Sequence, residues 1–181
     1  MWGETAGDRE GLARFHLRVE GTRITRLDLA ATTHPLNLPP AEERWDCDGD
    51  LVLPCWIDAH AHLDKAHLGL WADGTLTGAI AAVEGDRPRR TAEDLRRRMH
   101  FALTCAYVHG TKAIRTHLDL PPTHRELVLT VFRELQEEWK GRLLLQPVSL
   151  VEATVFLTPE GERIADRMAA MGGCWGLGPG R

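Results

Sequence analysis

The rhythm of apolar and polar positions changes near residue 50. Before it, Phe15, Leu17 and Val19 alternate with polar residues, and Ile24, Leu27 and Leu29 take up an apolar pattern again beyond Glu20-Gly21. Such patterning on either side of a glycine predicts two short strands within residues 14–29. Residues 31–45, with Pro35, Pro39 and Pro40, read as a connection. From residue 51 strands alternate with helices. Leu51, Val52, Leu53, Trp56 and Ile57 form a mostly apolar run that predicts a strand buried on both faces. A polar stretch over residues 68–90 follows, with room for one short helix near Ala79–Val83.

Thr91 then precedes Glu93 and Asp94, and Leu95, Met99, Leu103 and Ala106 recur on one helical face. That combination predicts a capped amphipathic helix ending near Gly110. Lys112–Leu118 predicts a second strand. Thr123 and Glu126 have capping-box spacing ahead of Leu127, Val131, Leu135 and Trp139, a helix that Gly141 stops. Arg142–Leu150 predicts a third strand. Pro159 opens a third helix bearing Ile164, Met168 and Met171, which Gly172-Gly173 close.

Three consecutive strand–helix units predict an α/β fold with a parallel sheet and crossover helices. A fourth strand is due at residues 173–181, but the glycines there argue against a good one. The third strand is therefore expected to end the sheet as an open edge.

Composition narrows the function classes. With 43% apolar and 27% charged residues the chain is a globular protein, and its 181 residues suffice for one ordinary domain, or one domain plus a small appendage. A net charge of −4 argues against nucleic-acid binding. The basic runs Arg87–Arg90 and Arg96–Arg98 read as solvated surface near a helix start. No apolar run reaches the length of a membrane span, and MWGETAGDREG lacks the segments of a secretory signal. Cys47, Cys55, Cys105 and Cys174 form no C-x-x-C pair and read as reduced thiols of a cytoplasmic protein.

Candidate chemistry begins where the first apolar run meets His60-Ala61-His62, with Asp64 two positions on. Residues i and i+2 of a strand project from one face, so His60 and His62 can converge on one cation. They lie at the carboxyl end of their strand, where β/α barrels carry their active sites. The H-x-H spacing by itself is common, and two capping or surface histidines would show it too. His117, Asp119 and Arg115 share a face at the end of the second strand. They are candidates either for further ligation or for a polar, salt-bridged strand end. His67, His100, His109 and His124 read as surface or helix histidines. His124-Arg125-Glu126 has the H-x-E spacing of zinc nucleobase deaminases, but the P-C-x-x-C they require is absent.

LVLPCWIDAHAHLD (Leu51–Asp64) resembles the first barrel strand of the amidohydrolase superfamily. GTLTGAI (Gly74–Ile80), GTKAIRTHLD (Gly110–Asp119) and LQPVSLVE (Leu145–Glu152) resemble its cytosine deaminase branch. The resemblance implies the amino-terminal portion of a metal-dependent (β/α)8 TIM-type barrel, preceded by a short β-sandwich segment and incomplete in this chain. On that basis residues 1–48 are the amino-terminal strands of a small β-sandwich subdomain. Residues 49–172 are then the first three β-α units, and residues 173–181 a glycine-rich truncated end.

It also implies one divalent metal ion, iron or zinc, with His60 and His62 as ligands and Asp64, Arg115, His117 and Asp119 around them. In such enzymes a metal-bound hydroxide attacks the ring carbon that bears an amino group of a heterocycle. Glu152 falls where a substrate-reading glutamine is expected. An ionised carboxylate there accepts hydrogen bonds without donating them, which puts strict cytosine specificity in doubt and leaves a related cyclic amide, amidine or triazine open. The catalytic glutamate and aspartate of the family are expected beyond Arg181. The chain is thus expected to be an inactive amino-terminal fragment, with a cyclic-amide-opening hydrolase or a non-catalytic assembly partner as alternatives. The expected partner is a small heterocyclic substrate, with neither nucleic acid nor membrane, and family members are expected to be homo-oligomers.

Overall fold

The computed structural model describes residues 12–30 and 40–178. The amino-terminal run, most of the proline-bearing connection and Pro179-Gly180-Arg181 lie outside them. The chain divides into two compact units, Met1–Leu53 and Pro54–Arg181. In the first, β1 (Phe15–Glu20) pairs antiparallel with β2 (Arg23–Leu29) from Phe15↔Leu29 to Glu20↔Arg23. Gly21 turns between them at φ +59°, a conformation open to glycine at little cost.

The second unit holds four parallel strands in the order β3-β4-β5-β6. These are β3 (Trp56–Ala61), β4 (Thr111–Asp119), β5 (Leu144–Val151) and β6 (Cys174–Leu177). Between them run α1 (Leu76–Asp86), α2 (Ala92–Val108), α3 (Arg125–Glu138) and α4 (Pro159–Ala170). The result is a curled parallel sheet with crossover helices, part of a TIM-type barrel. The predicted apolar stripes form its core. Leu95, Met99 and Leu103 of α2, Val128, Phe132 and Leu135 of α3, and Ile164 and Met168 of α4 are buried with Ile114 and Leu118 of β4. Each such side chain contributes about 1.5–3 kcal/mol by leaving water. Thr91 caps α2 by accepting from the Asp94 N–H at 3.1 Å, and Thr158 caps α4 by accepting from Gly161.

Four expectations need correction. The run from Leu51 to Ile57 is not buried on both faces. Its strand starts only at Trp56, and Trp56 and Ile57 are 59% and 74% exposed. The reason is position, since among the described residues β3 ends the sheet and pairs with β4 alone. The capping box at Thr123 does not form, because α3 starts at Arg125 with His124 before it. Thr123 Oγ1 instead contacts His124 Nδ1 at 2.9 Å, and Glu126 pairs with Arg167.

The third correction concerns the fourth strand, which forms despite its glycines. β6 pairs with β5 from Val148↔Cys174 to Val151↔Leu177, so the third strand unit is not the edge. Here glycine permits close approach rather than breaking the strand. A Cβ at Gly173 would stand 2.6 Å from the Pro147 carbonyl oxygen, and one at Gly176 would stand 2.5 Å from Val148 Cγ1. The fourth concerns the basic runs. Arg97 is exposed as expected, but Arg90 and Arg98 are buried and ion-paired. Acidic Asp86, Asp94 and Asp119 close around them. Among the described residues no helix is long and apolar enough to cross a membrane.

Candidate functional site

The carboxyl ends of β3 and β4 lie side by side, and a short turn that follows β3 packs against the end of β4. After β3, residues Leu63–Lys65 form one turn of 3-10 helix. Two bonds fasten it to β4: the Leu63 N–H donates to Thr116 Oγ1 at 3.0 Å, and the Asp119 N–H donates to Asp64 Oδ2 at 2.9 Å. Both acceptor side chains are fully buried, so they hold the turn from inside the protein. That anchorage sets the position of His62.

His60 and His62 turn their Nε2 atoms toward each other at 3.3 Å. The ring of His117 stacks on His60, with centroids 4.0 Å apart and planes 23° from parallel. His62 Nδ1 lies 3.1 Å from the His117 carbonyl oxygen and 3.2 Å from Lys65 Nζ. Burial lowers the pKa of His62, the Lys65 ammonium adds to that, and the His117 carbonyl oxygen beside Nδ1 opposes it. Burial likewise lowers the pKa of His117, assisted by His60 and His62. Both shifts favour neutral imidazole, the form that binds metals.

Two imidazole nitrogens at roughly 2.0–2.1 Å from one tetrahedral cation stand roughly 3.3–3.4 Å apart. The 3.3 Å between the Nε2 atoms matches that span, so the pair fits two corners of a cation site. Among the described residues no set of three or more His, Cys, Asp or Glu side chains converges to hold a metal ion.

The carboxylates have other engagements. Asp119 accepts from Arg87 Nη2 at Oδ1 (2.9 Å) and from Arg87 Nε (3.0 Å) and Arg90 Nη1 (3.1 Å) at Oδ2. Burial alone would raise its pKa, but the Arg87 fork and Arg90 outweigh burial and hold it low. Asp64 is fully buried, and burial raises its pKa despite the nearby cations; its Oδ1 has no hydrogen-bond partner. Arg115 donates to Gln146 Oε1 at 2.7 Å, and Gln146 donates to the Gly172 carbonyl, a polar rung across the sheet. Glu152 is exposed just past the end of β5.

The structure thus brings together His60, His62 and His117, with Asp64 and Asp119 joined beneath them. It leaves Arg115 bonded to Gln146. His100 pairs with Glu138, and His109 Nδ1 lies 2.7 Å from the Cys105 carbonyl oxygen, on α2 and its end. Sequence reasoning missed Lys65 and the arginine clasp. The signal for Lys65 was its place three residues after His62 in a turn. For Arg90 it was the i, i+4 spacing from Asp86, which marks pairing as readily as solvation.

No family profile matches the chain. It is 43% identical over 155 residues to a pterin deaminase of Rhizobium rhizogenes, a match covering 82% of this chain and 34% of that protein. It is 27% identical over 135 residues to N-isopropylammelide isopropyl amidohydrolase of a Pseudomonas species, covering 70% of this chain and 34% of that one. The chain therefore spans about a third of the length of these curated relatives. Its fold matches the 5-methylcytosine deaminase of Klebsiella pneumoniae with a TM-score of 0.65 at 24% identity, over 89% of this chain and 39% of that one. N-isopropylammelide isopropylaminohydrolase of Burkholderia multivorans matches with a TM-score of 0.64 at 27% identity, over 86% and 39%.

Proposed function

We propose, from the premise that the chain is a homologue of amidohydrolase-superfamily deaminases, that it carries two imidazole ligands of a hydrolase acting on a nitrogen heterocycle. The observation that carries this reading is the 3.3 Å approach of His60 Nε2 and His62 Nε2 at the carboxyl end of a parallel strand. A divalent cation, zinc or iron, bound there would supply a hydrolytic nucleophile near neutral pH. His60 and His62 would hold it, the His117 carbonyl would orient the His62 ring, and Asp64 and Asp119 keep the two strand ends in register.

The reaction class is hydrolytic removal of an amine from a ring carbon. The 43% identity to a pterin deaminase supports a pterin-like ring over cytosine as the substrate class. Glu152, exposed past β5, accepts hydrogen bonds from ring N–H or exocyclic amino groups in this reading. The 181-residue chain by itself turns over no substrate, because four parallel strands do not close a barrel of eight. Cytoplasmic residence belongs to the same proposal, supported by four free cysteines.

Calorimetric titration of the chain with zinc tests the site. One ion per chain is expected, with binding lost in His60→Ala and in His62→Ala. Zinc uptake unchanged in both variants would refute the assignment. Ammonia release from pterin by the isolated chain, abolished by His60→Ala, would refute the claim of inactivity.

A further inference from the structure

His62 Nδ1 stands between two groups that make opposite demands. The carbonyl oxygen of His117, at 3.1 Å, can only accept a hydrogen bond. The Lys65 ammonium, at 3.2 Å, can only donate one. A neutral imidazole nitrogen carries either a proton or a lone pair, so the two contacts belong to different tautomers. The Nε2 atom at the other side of the ring carries the complement.

If Lys65 donates to Nδ1, the proton is on Nε2 and points at His60 Nε2, 3.3 Å away. His62 then has no lone pair to give a cation. If Nδ1–H donates to the His117 carbonyl, Nε2 is a free donor toward the same point, and Lys65 has to turn aside. No proton enters or leaves the protein between the two arrangements. The ammonium bond is charge-assisted and the carbonyl bond is neutral, and this difference outweighs the repulsion between the Nδ1 lone pair and the His117 carbonyl at 3.1 Å, so in this inference the first arrangement holds while no cation is present. Lys65 is placed for this by the 3-10 turn, whose Lys65 N–H donates to the His62 carbonyl at 3.0 Å.

We infer that Lys65 is a positioning residue that keeps His62 in the tautomer unable to bind metal, so that a cation enters only as the lysine withdraws. This rests on the cation reading of His60 and His62. The side chain is only half-buried, so a route to solvent is open to it.

The test uses the nitrogen-15-labelled 181-residue chain, with Lys65→Met and Lys65→Arg, each checked for folding by circular dichroism. The first readout is the histidine ring-nitrogen spectrum without metal. Wild type and Lys65→Arg are expected to show His62 protonated on Nε2, and Lys65→Met to show it protonated on Nδ1. Zinc affinity of Lys65→Met is expected to rise roughly tenfold. Loss of a positive charge would raise affinity on its own, so the metal-free tautomer is the deciding result. An unchanged tautomer in Lys65→Met, or weaker zinc binding by it, would overturn the inference. A tautomer change with no zinc uptake by any form would leave Lys65 as the selector and remove the cation reading instead. Should Lys65→Met not fold, Lys65→Leu, which likewise has neither charge nor hydrogen-bond donor, gives the same comparison.

Discussion

Arg90 offers the sharpest energetic test of how the site is held. Its side chain is fully inaccessible and bridges Asp86 Oδ2 at 2.8 Å and Asp119 Oδ2 at 3.1 Å. Arg90→Met keeps most of the apolar stem and removes the charge. Breaking one partner of a buried pair costs about 3–5 kcal/mol, because a carboxylate is left uncompensated. Neither carboxylate is abandoned here, since Asp86 keeps Arg98 at 3.0 Å and Asp119 keeps the Arg87 fork. The loss is therefore expected at the lower end, about 3 kcal/mol. For a domain of this size that lowers Tm by roughly 6–12 °C. Arg97→Met is the control, since Arg97 is 75% exposed and its bridge to Asp94 is worth at most about 1 kcal/mol. Urea unfolding of both variants reads the difference. Equal midpoints for the two would refute the claim that the 86–90 segment clasps β4 through buried charge.

The same clasp sets an acid limit. Burial would raise the pKa of Asp86, but bonds from Arg98 and Arg90 outweigh it and hold the carboxyl low, as Arg87 does for Asp119. A depressed folded pKa contributes stability that is fully present above the unfolded value near about 3.9 and is lost as pH falls through the folded one. The clasp's share of the urea midpoint should thus hold above about pH 5 and be lost below about pH 4. It lies beneath a separate, earlier decline from about pH 6.5 due to His62 and His117, whose pKa values burial lowers. No further fall below about pH 4 would contradict the pairing. Gly176→Val drives a side chain into Val148 and Ser149, should cost about 1–3 kcal/mol, and should free β6 for proteolysis after Gly172; a protease-resistant variant would contradict the close approach. Phe132→Ala, at a site with no solvent exposure, should cost about 3–5 kcal/mol in the same urea assay.

Local pattern was enough to specify most of the elements. Helical spacing of Leu95, Met99 and Leu103, and of Val131 and Leu135, marks one buried face each, because 3.6 residues per turn leave little choice of which side meets a sheet. The i, i+2 spacing of His60 and His62 likewise put two imidazoles on one strand face, and apolar runs, helical spacing and cap residues together marked the first three strand–helix units. What the sequence could not supply was the neighbour. Trp56 and Ile57 read as buried because they are apolar, yet β3 lies at a sheet edge, and only strand order decides that. The glycines of β6 read as strand breakers because the cost of glycine is local, whereas the close contacts with Pro147 and Val148 that call for glycine come from the adjacent strand. Arg87, Arg90 and Arg98 read as solvated because charge prefers water. Asp86 stands only four residues before Arg90, but Asp119 comes within reach of Arg87 and Arg90 only when the segment after α1 folds over the end of β4. Contacts between residues far apart in the chain decided each of these cases, and only the tertiary structure holds that information.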